Sequence, residues 1–171
     1  MTLLEKVVRI KGQSLAEDHP SRLVSRHALA IAYEANGQVK EAVTLLEEVV
    51  RIEGQTLTED DPSRLASQHA LAEAYWENGQ VKEAVTMLEE VVQIREQTLA
   101  EDHPDRLASQ HNLAIMLWSL GQHSAGLQLM RHVVDIRQRV LDPNHPRRKV
   151  SEGWLQRFED ESSESGEVAV E

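Results

Sequence analysis

A chain of 171 residues with 18 Lys+Arg against 29 Asp+Glu carries a net charge of -11, which repels nucleic acid and anionic lipid surfaces and removes both from the expected partners. It has no cysteine, so disulfide scaffolds, thiolate nucleophiles and Cys-ligated metal centres are excluded. No apolar run approaches the roughly 18 residues of a membrane helix and nothing near Met1 resembles a secretory signal, so the sequence predicts a soluble, cytoplasmic chain holding one domain or one short repeat array.

A step of 42 residues dominates the pattern: Pro20, Pro62, Pro104 and Pro146 recur at it, as do His27, His69 and His111, and Gly37, Gly79 and Gly121. Residues 27–68 and 69–110 differ at only about ten positions. Each period reads as two helices. After Pro62, the run RLASQHALAEAYWEN sets Leu65, Ala72 and Tyr75 on one stripe beside His69 and Trp76; Asp60 or Asp61 is placed to cap this helix A, and Asn78-Gly79 ends it. The next run sets Ala84, Met87, Leu88, Val91, Ile94 and Leu99 on the apolar face of helix B.

In chain order, residues 3–16 match helix B without a partner helix A. Complete A-B repeats follow at 20–58, 62–100 and 104–141. Residues 146–158 form an A-like capping helix, in which Gly153-Trp154 replace the His-Ala pair and Gln156 replaces a packing alanine. Residues 159–171 form an acidic tail expected to be disordered. Stacked repeats bury their apolar faces only against neighbours, so terminal units are normally polar outside. The first helix is not: Leu3, Leu4, Val7, Val8 and Ile10 keep an interior pattern, which predicts an edge that pairs with another copy, continues a longer array, or is simply tolerated.

The series Leu29-Ala30, Tyr33, Gly37, Ala42 and Pro62, repeated as Leu71-Ala72, Tyr75, Gly79, Ala84 and Pro104, resembles the tetratricopeptide repeat signature. The phrase QIREQTLAEDHPDRLASQHNLA resembles the 42-residue variety found in kinesin light chains and in repeat tails of fungal and bacterial signalling NTPases. Val49 and Val91 depart from the family's usual alanine, and no Walker glycine loop is present. Over roughly residues 3 to 158, the resemblance implies an all-α, right-handed superhelical solenoid of antiparallel helix pairs whose A helices line a concave groove.

Carried over by position, the family's ligand-contacting stripe falls on His27, Ile31 and Glu34 in the first full repeat, His69, Glu73, Trp76 and Glu77 in the second, and His111, Asn112, Ile115 and Trp118 in the third. The first two copies diverge on this stripe, at Ile31 and Glu73, Glu34 and Trp76, and Ala35 and Glu77. Trp76 and Trp118 then read as anchors, with core packing as the alternative. His69 and His111 read as hydrogen-bond partners whose titration would make affinity vary across about pH 5.5 to 7.5, and Glu73 and Glu77 as favouring a cationic segment. No convergent nucleophile, phosphate loop or metal-ligand spacing is present, and the recurring histidines are better explained by the repeat, with His19, His103 and His145 as capping or turn residues. The sequence therefore predicts a non-enzymatic protein-binding scaffold with no cofactor and no metal, taking a protein or peptide segment. The alternative is a self-assembling segment that forms a homo-oligomer through its N-terminal edge.

Overall fold

A computed structural model describes residues 2–167, with side chains from 2 to 164. Among the described residues there are eight helices and no strand: α1 (Leu3–Ser14), α2 (Pro20–Ala35), α3 (Val39–Thr56), α4 (Pro62–Glu77), α5 (Val81–Thr98), α6 (Pro104–Ser119), α7 (His123–Val140) and α8 (Pro146–Glu167). They divide into two compact units, Met1–Val91 and Val92–Glu171.

The helix boundaries have local chemical causes. Proline opens α2, α4 and α6, where its missing N–H costs nothing and its fixed φ suits the first turn. The residue before each proline caps the helix. His19, His103 and His145 accept through Nδ1 from the backbone N–H of Ser21, Asp105 and Arg147 at 3.1, 3.1 and 3.2 Å, and Asp61 accepts from Ser63 at 2.8 Å. These histidines have the capping role expected of them. Gly37, Gly79 and Gly121 turn the chain from A to B at φ of 74°, 83° and 84°, a region closed to most L side chains.

In the first unit, α3 packs between α2 and α4. Ala30, Ala42, Val43, Leu46, Ala70, Leu71 and Ala74 form one buried cluster flanked by Tyr33 and Tyr75, and Leu23, Val49 and Ile52 form a second. Val49, one of the two valines at which the sequence departs from the tetratricopeptide pattern it resembles, is fully buried. In the second unit, α7 packs on α6 and α8, and Met116, Met130, Val133, Ile136 and Phe158 are buried.

Two polar devices recur between B helices and the A helices that follow them, each at three of the four junctions. Near the end of B, Lys11 donates to the Ser21 carbonyl at 2.9 Å, Arg95 to the Asp105 carbonyl at 3.0 Å and Arg137 to the Arg147 carbonyl at 3.0 Å, each using a lone pair that the carbonyl has to spare beside its own helical bond. Further toward its N-terminus, midway along the full-length B helices, Glu5 accepts from the Tyr33 hydroxyl at 3.1 Å and Glu47 from that of Tyr75 at 2.8 Å. The same separation in sequence pairs Arg131 with Glu159 at 2.9 Å.

Helix α8 corrects one expectation. It does not stop at 158 but continues through Glu167, so the acidic segment begins as helix. The reason lies in side chains that the charge run conceals: Glu159 meets Arg131, Glu161 accepts from the Trp118 indole at 2.8 Å and from Arg157 at 2.7 Å, and Gln156 donates to Asp160 at 2.9 Å. Residues 168–171 of the expected tail lie outside the described residues.

Gly126 stands where the other B helices have Ala42 and Ala84, and a Cβ built there would lie 2.8 Å from the Ala114 carbonyl oxygen. Gly126→Ala is therefore expected to destabilise by roughly 1–3 kcal/mol through backbone overpacking, despite alanine's helix advantage of about 1 kcal/mol. Gly153→Ala in α8, with nothing within 4 Å, is expected to stabilise by about 0.5–1 kcal/mol. Urea unfolding of the two variants checks the contrast.

Candidate ligand groove

The predicted stripe lies on the A helices, but the two units treat it differently. In the first unit, Ile31 on α2 is 42 % exposed and Val24, two turns earlier, is also open. His27, Glu34, His69, Glu73 and Trp76 are half-buried and Glu77 is exposed, so all of the stripe residues expected in this unit reach a surface. The Nε2 of His69 lies 3.5 Å from a Glu73 oxygen. Glu34 is the anomalous group. Its carboxyl is pushed up to about 7, first by desolvation and then by Glu77 and Glu73, and its Oε1 is buried without a hydrogen-bond partner among the described residues.

In the second unit, α8 covers most of the stripe. Trp118 is only 9 % exposed. Its ring stacks on Phe158 at 4.1 Å with the planes 1° apart and on His123 at 4.4 Å, while its indole N–H is taken by Glu161. This corrects its reading as an exposed anchor: the packing alternative describes it. His111 and Ile115 are buried as well, and Asn112 is half-buried. Nδ1 of His111 lies 2.9 Å from the Ser151 hydroxyl. Burial, followed by the charge of Arg137, lowers its basicity to about 4, so His111 is neutral across the interval in which a free imidazole titrates.

What the sequence did not reveal is the layer behind the histidines. His27 Nδ1 lies 3.2 Å from the Ser67 hydroxyl, and the buried Glu53 at the end of α3 has a carboxyl that burial raises and Ser67 lowers. The second unit repeats the arrangement with Ser151 bonded to the buried Arg137 at the end of α7. Ser67 and Ser151 recur at the repeat's own spacing, and an acid and a base standing at equivalent helix-B positions was the visible signal. On α8 the loss of the histidine leaves an open notch of about 270 Å³ bounded by Lys149, Val150, Gly153, Trp154 and Arg157, with Arg157 5.2 Å from the Trp154 ring centroid. Among the described residues no cluster of three or more His, Cys, Asp or Glu is arranged to hold a metal, and no helix is long and apolar enough to cross a membrane.

Antiparallel helix pairs at a constant period, with small residues at their crossings and variable residues on the A helices, define a helical repeat protein of the protein-interaction scaffold kind. Two tetratricopeptide repeat family models match, at residues 22–63 and 63–139. The nearly identical TPR-like repeats of a candidate kinesin light chain from Podosopora anserina are 51% identical, with a TM-score of 0.83, 96% of this chain covered and 78% of that one. BtubC (BKLC) from P. vanneervenii shares the fold at 15% identity and a TM-score of 0.81, over 98% of this chain and 68% of that one. MamA does so at 12% and 0.58, over 96% and 91%. No curated protein matches the chain. The chain belongs to the tetratricopeptide repeat family, in its kinesin light chain-like form.

Because the basicity of His111 is lowered on folding, the unfolded chain binds its proton first. The stability this residue contributes is complete above about pH 6.5 and falls as pH drops toward 4. Proton titration by NMR is expected to show His111 unprotonated at pH 5.5. A midpoint near that of a free imidazole would contradict the buried placement.

Proposed function

We propose that this chain is a non-enzymatic binding scaffold whose A-helix stripe in the first unit, on α2 and α4, receives a peptide or protein segment with a cationic side chain beside an apolar one. Glu34 carries the reading. A carboxyl raised to about 7 by burial and by two further carboxylates, with an unpartnered oxygen, is a site at which a lysine or arginine side chain relieves repulsion and supplies the missing hydrogen bond. Val24 and Ile31 offer exposed apolar surface on the same stripe, and the half-buried Trp76 offers rigid contact area.

A labelled peptide of sequence Ala-Leu-Lys-Leu-Lys-Ala, followed by fluorescence anisotropy, tests the proposal. Cation binding favours ionised Glu34 and releases its proton, so affinity is expected to rise with pH up to about 7 and then level off, and Glu34→Gln to flatten this profile. Trp76→Ala is expected to weaken binding by roughly thirtyfold, in the range of an interface hot spot, with helicity unchanged. Equal binding of the Leu-Glu version of the peptide, or loss of folding in Trp76→Ala, would defeat the assignment.

A second reading concerns the α1 edge. Ile10 is 58 % exposed, while its equivalent Ile52 is 3 % exposed beneath a complete repeat; Leu3 is open too, and Leu4, Val7 and Val8 are half-buried. This supports self-association through α1. At the other end, the positions held by the buried Leu107 and Ala114 in α6 are the exposed Lys149 and Gln156 in α8, which favours a twofold contact between two α1 edges over head-to-tail stacking. Light scattering is expected to show a dimer that Ile10→Glu dissociates. A monomer at high concentration would exclude it.

A further inference from the structure

The last junction between a B helix and an A helix departs from the earlier ones at positions that face one pocket. Between the start of α6, the end of α7 and the start of α8 lies a cavity of about 130 Å³. Pro104, Leu107, Val140 and Leu141 give it an apolar wall, and Asp102, Arg137, His145 and Arg147 give it polar groups. Its size is close to the roughly 150 Å³ at which an apolar cavity holds one small ring. Two of the lining residues break the repeat. Val140 stands where the other B helices have Ser14, Thr56 and Thr98, each of which bonds back through its hydroxyl to the carbonyl four residues earlier. The valine has no hydroxyl to spend in this way and is 49 % exposed. Arg147 stands where the other A helices have Ser21, Ser63 and Asp105.

The second replacement removes a counter-charge. Asp105 favours the charged form of Arg95, whereas Arg147 disfavours that of Arg137. The positions that hold Asp60, Arg95 and Asp105 in one period hold Asp102, Arg137 and Arg147 in the next, so one base among two acids becomes one acid among two bases. Arg137 is only 4 % exposed. Of its five N–H groups, three are given to the Arg147 carbonyl, the Ser151 hydroxyl and the Leu107 carbonyl, and the others have no acceptor among the described residues. His145 spends Nδ1 on the Arg147 backbone N–H. We propose that this pocket binds a small branched-chain carboxylic acid, with the carboxylate against Arg137 and Arg147 in place of the missing acid and the alkyl group against Leu107, Val140 and Leu141. Asp102 repels a second carboxylate, so the site selects monoacids. It lies at a loop junction, apart from the A-helix stripe of the first unit, and takes an anion where that stripe takes a cation.

Titration of the full-length ¹⁵N-labelled chain with sodium isovalerate at constant ionic strength, followed by amide chemical shifts, tests the site. Saturable shifts are expected at Val140, Leu141 and Arg147. Isovaleramide keeps the alkyl group without the charge, and acetate keeps the charge without the alkyl group. Each is expected to bind roughly tenfold more weakly than isovalerate, or worse. Arg147→Asp and Val140→Thr install residues that the preceding period carries at these exposed positions, so both variants are expected to keep the parent's urea midpoint. Arg147→Asp is expected to weaken isovalerate by roughly tenfold or more, the loss of one hydrogen bond to a charged group, and Val140→Thr by roughly threefold. Arg147→Gln, which removes the charge alone, takes the place of Arg147→Asp if that variant does not fold. Shifts that never saturate, equal binding of the amide or of acetate, or indifference to the loss of the Arg147 charge overturn the site. Tighter binding of a peptide ending in leucine than of isovalerate overturns the free acid as its ligand.

Discussion

Everything in the fold depends on how the end of a B helix is joined to the A helix after it. The first turn of each A helix offers carbonyls with a lone pair to spare beside their own helical bond. At three of the four junctions a long side chain lies across the joint: Lys11 on Ser21, Arg95 on Asp105 and Ser109, and Arg137 on Arg147 and Ser151. Both arginines are nearly inaccessible to solvent, and burial lowers their basicity. A buried cation of this kind is held by the oxygens it reaches, whose charge-assisted bonds offset the cost of taking the guanidinium out of water. Glu53 breaks the rule. It is equally buried, and one of its oxygens is without a hydrogen-bond partner among the described residues.

The period was fully legible in the sequence, because proline, glycine and small residues have backbone reasons to recur and those reasons do not depend on tertiary contacts. Helix starts at Pro20, Pro62, Pro104 and Pro146 and left-handed turns at Gly37, Gly79 and Gly121 follow from φ preferences alone. The state of the binding stripe was less legible. The residues on α2 and α4 reach the surface, whereas Trp118 and His111, at positions equivalent to Glu34 and His27 or to Trp76 and His69, are enclosed. What separates them is Phe158 on α8, a single aromatic residue in a segment that composition marks as polar. Charge composition also misled at the end of the chain, since a count of acids cannot show that Glu159 and Glu161 face Arg131 and Trp118.

The stripe therefore has two characters within one family pattern. In the first unit it combines apolar surface with carboxylates that repel one another, a surface with an unmet demand for positive charge. In the second unit the equivalent residues are spent on packing, and what remains open is the Gly153 notch with Lys149 and Arg157 at its rim. Identical helices are thus differentiated by what lies against them as well as by their own substitutions.

The brace between a B helix and the following A helix also decides which repeats could stand in for one another if a whole period were inserted or removed. In the first unit the brace joins a tyrosine hydroxyl on A to a glutamate on B, so those repeats can be exchanged for one another. At the other end the polarity is inverted, with Arg131 on B and Glu159 on A, and the preceding copy has Glu89 where α7 has Arg131. A crossover that joined α5 directly to α8 would set carboxylate against carboxylate and strip Trp118 from Phe158. Helices α6 to α8 therefore depend on one another, through Arg131 with Glu159 and Trp118 with Phe158, in a way that the preceding repeats do not.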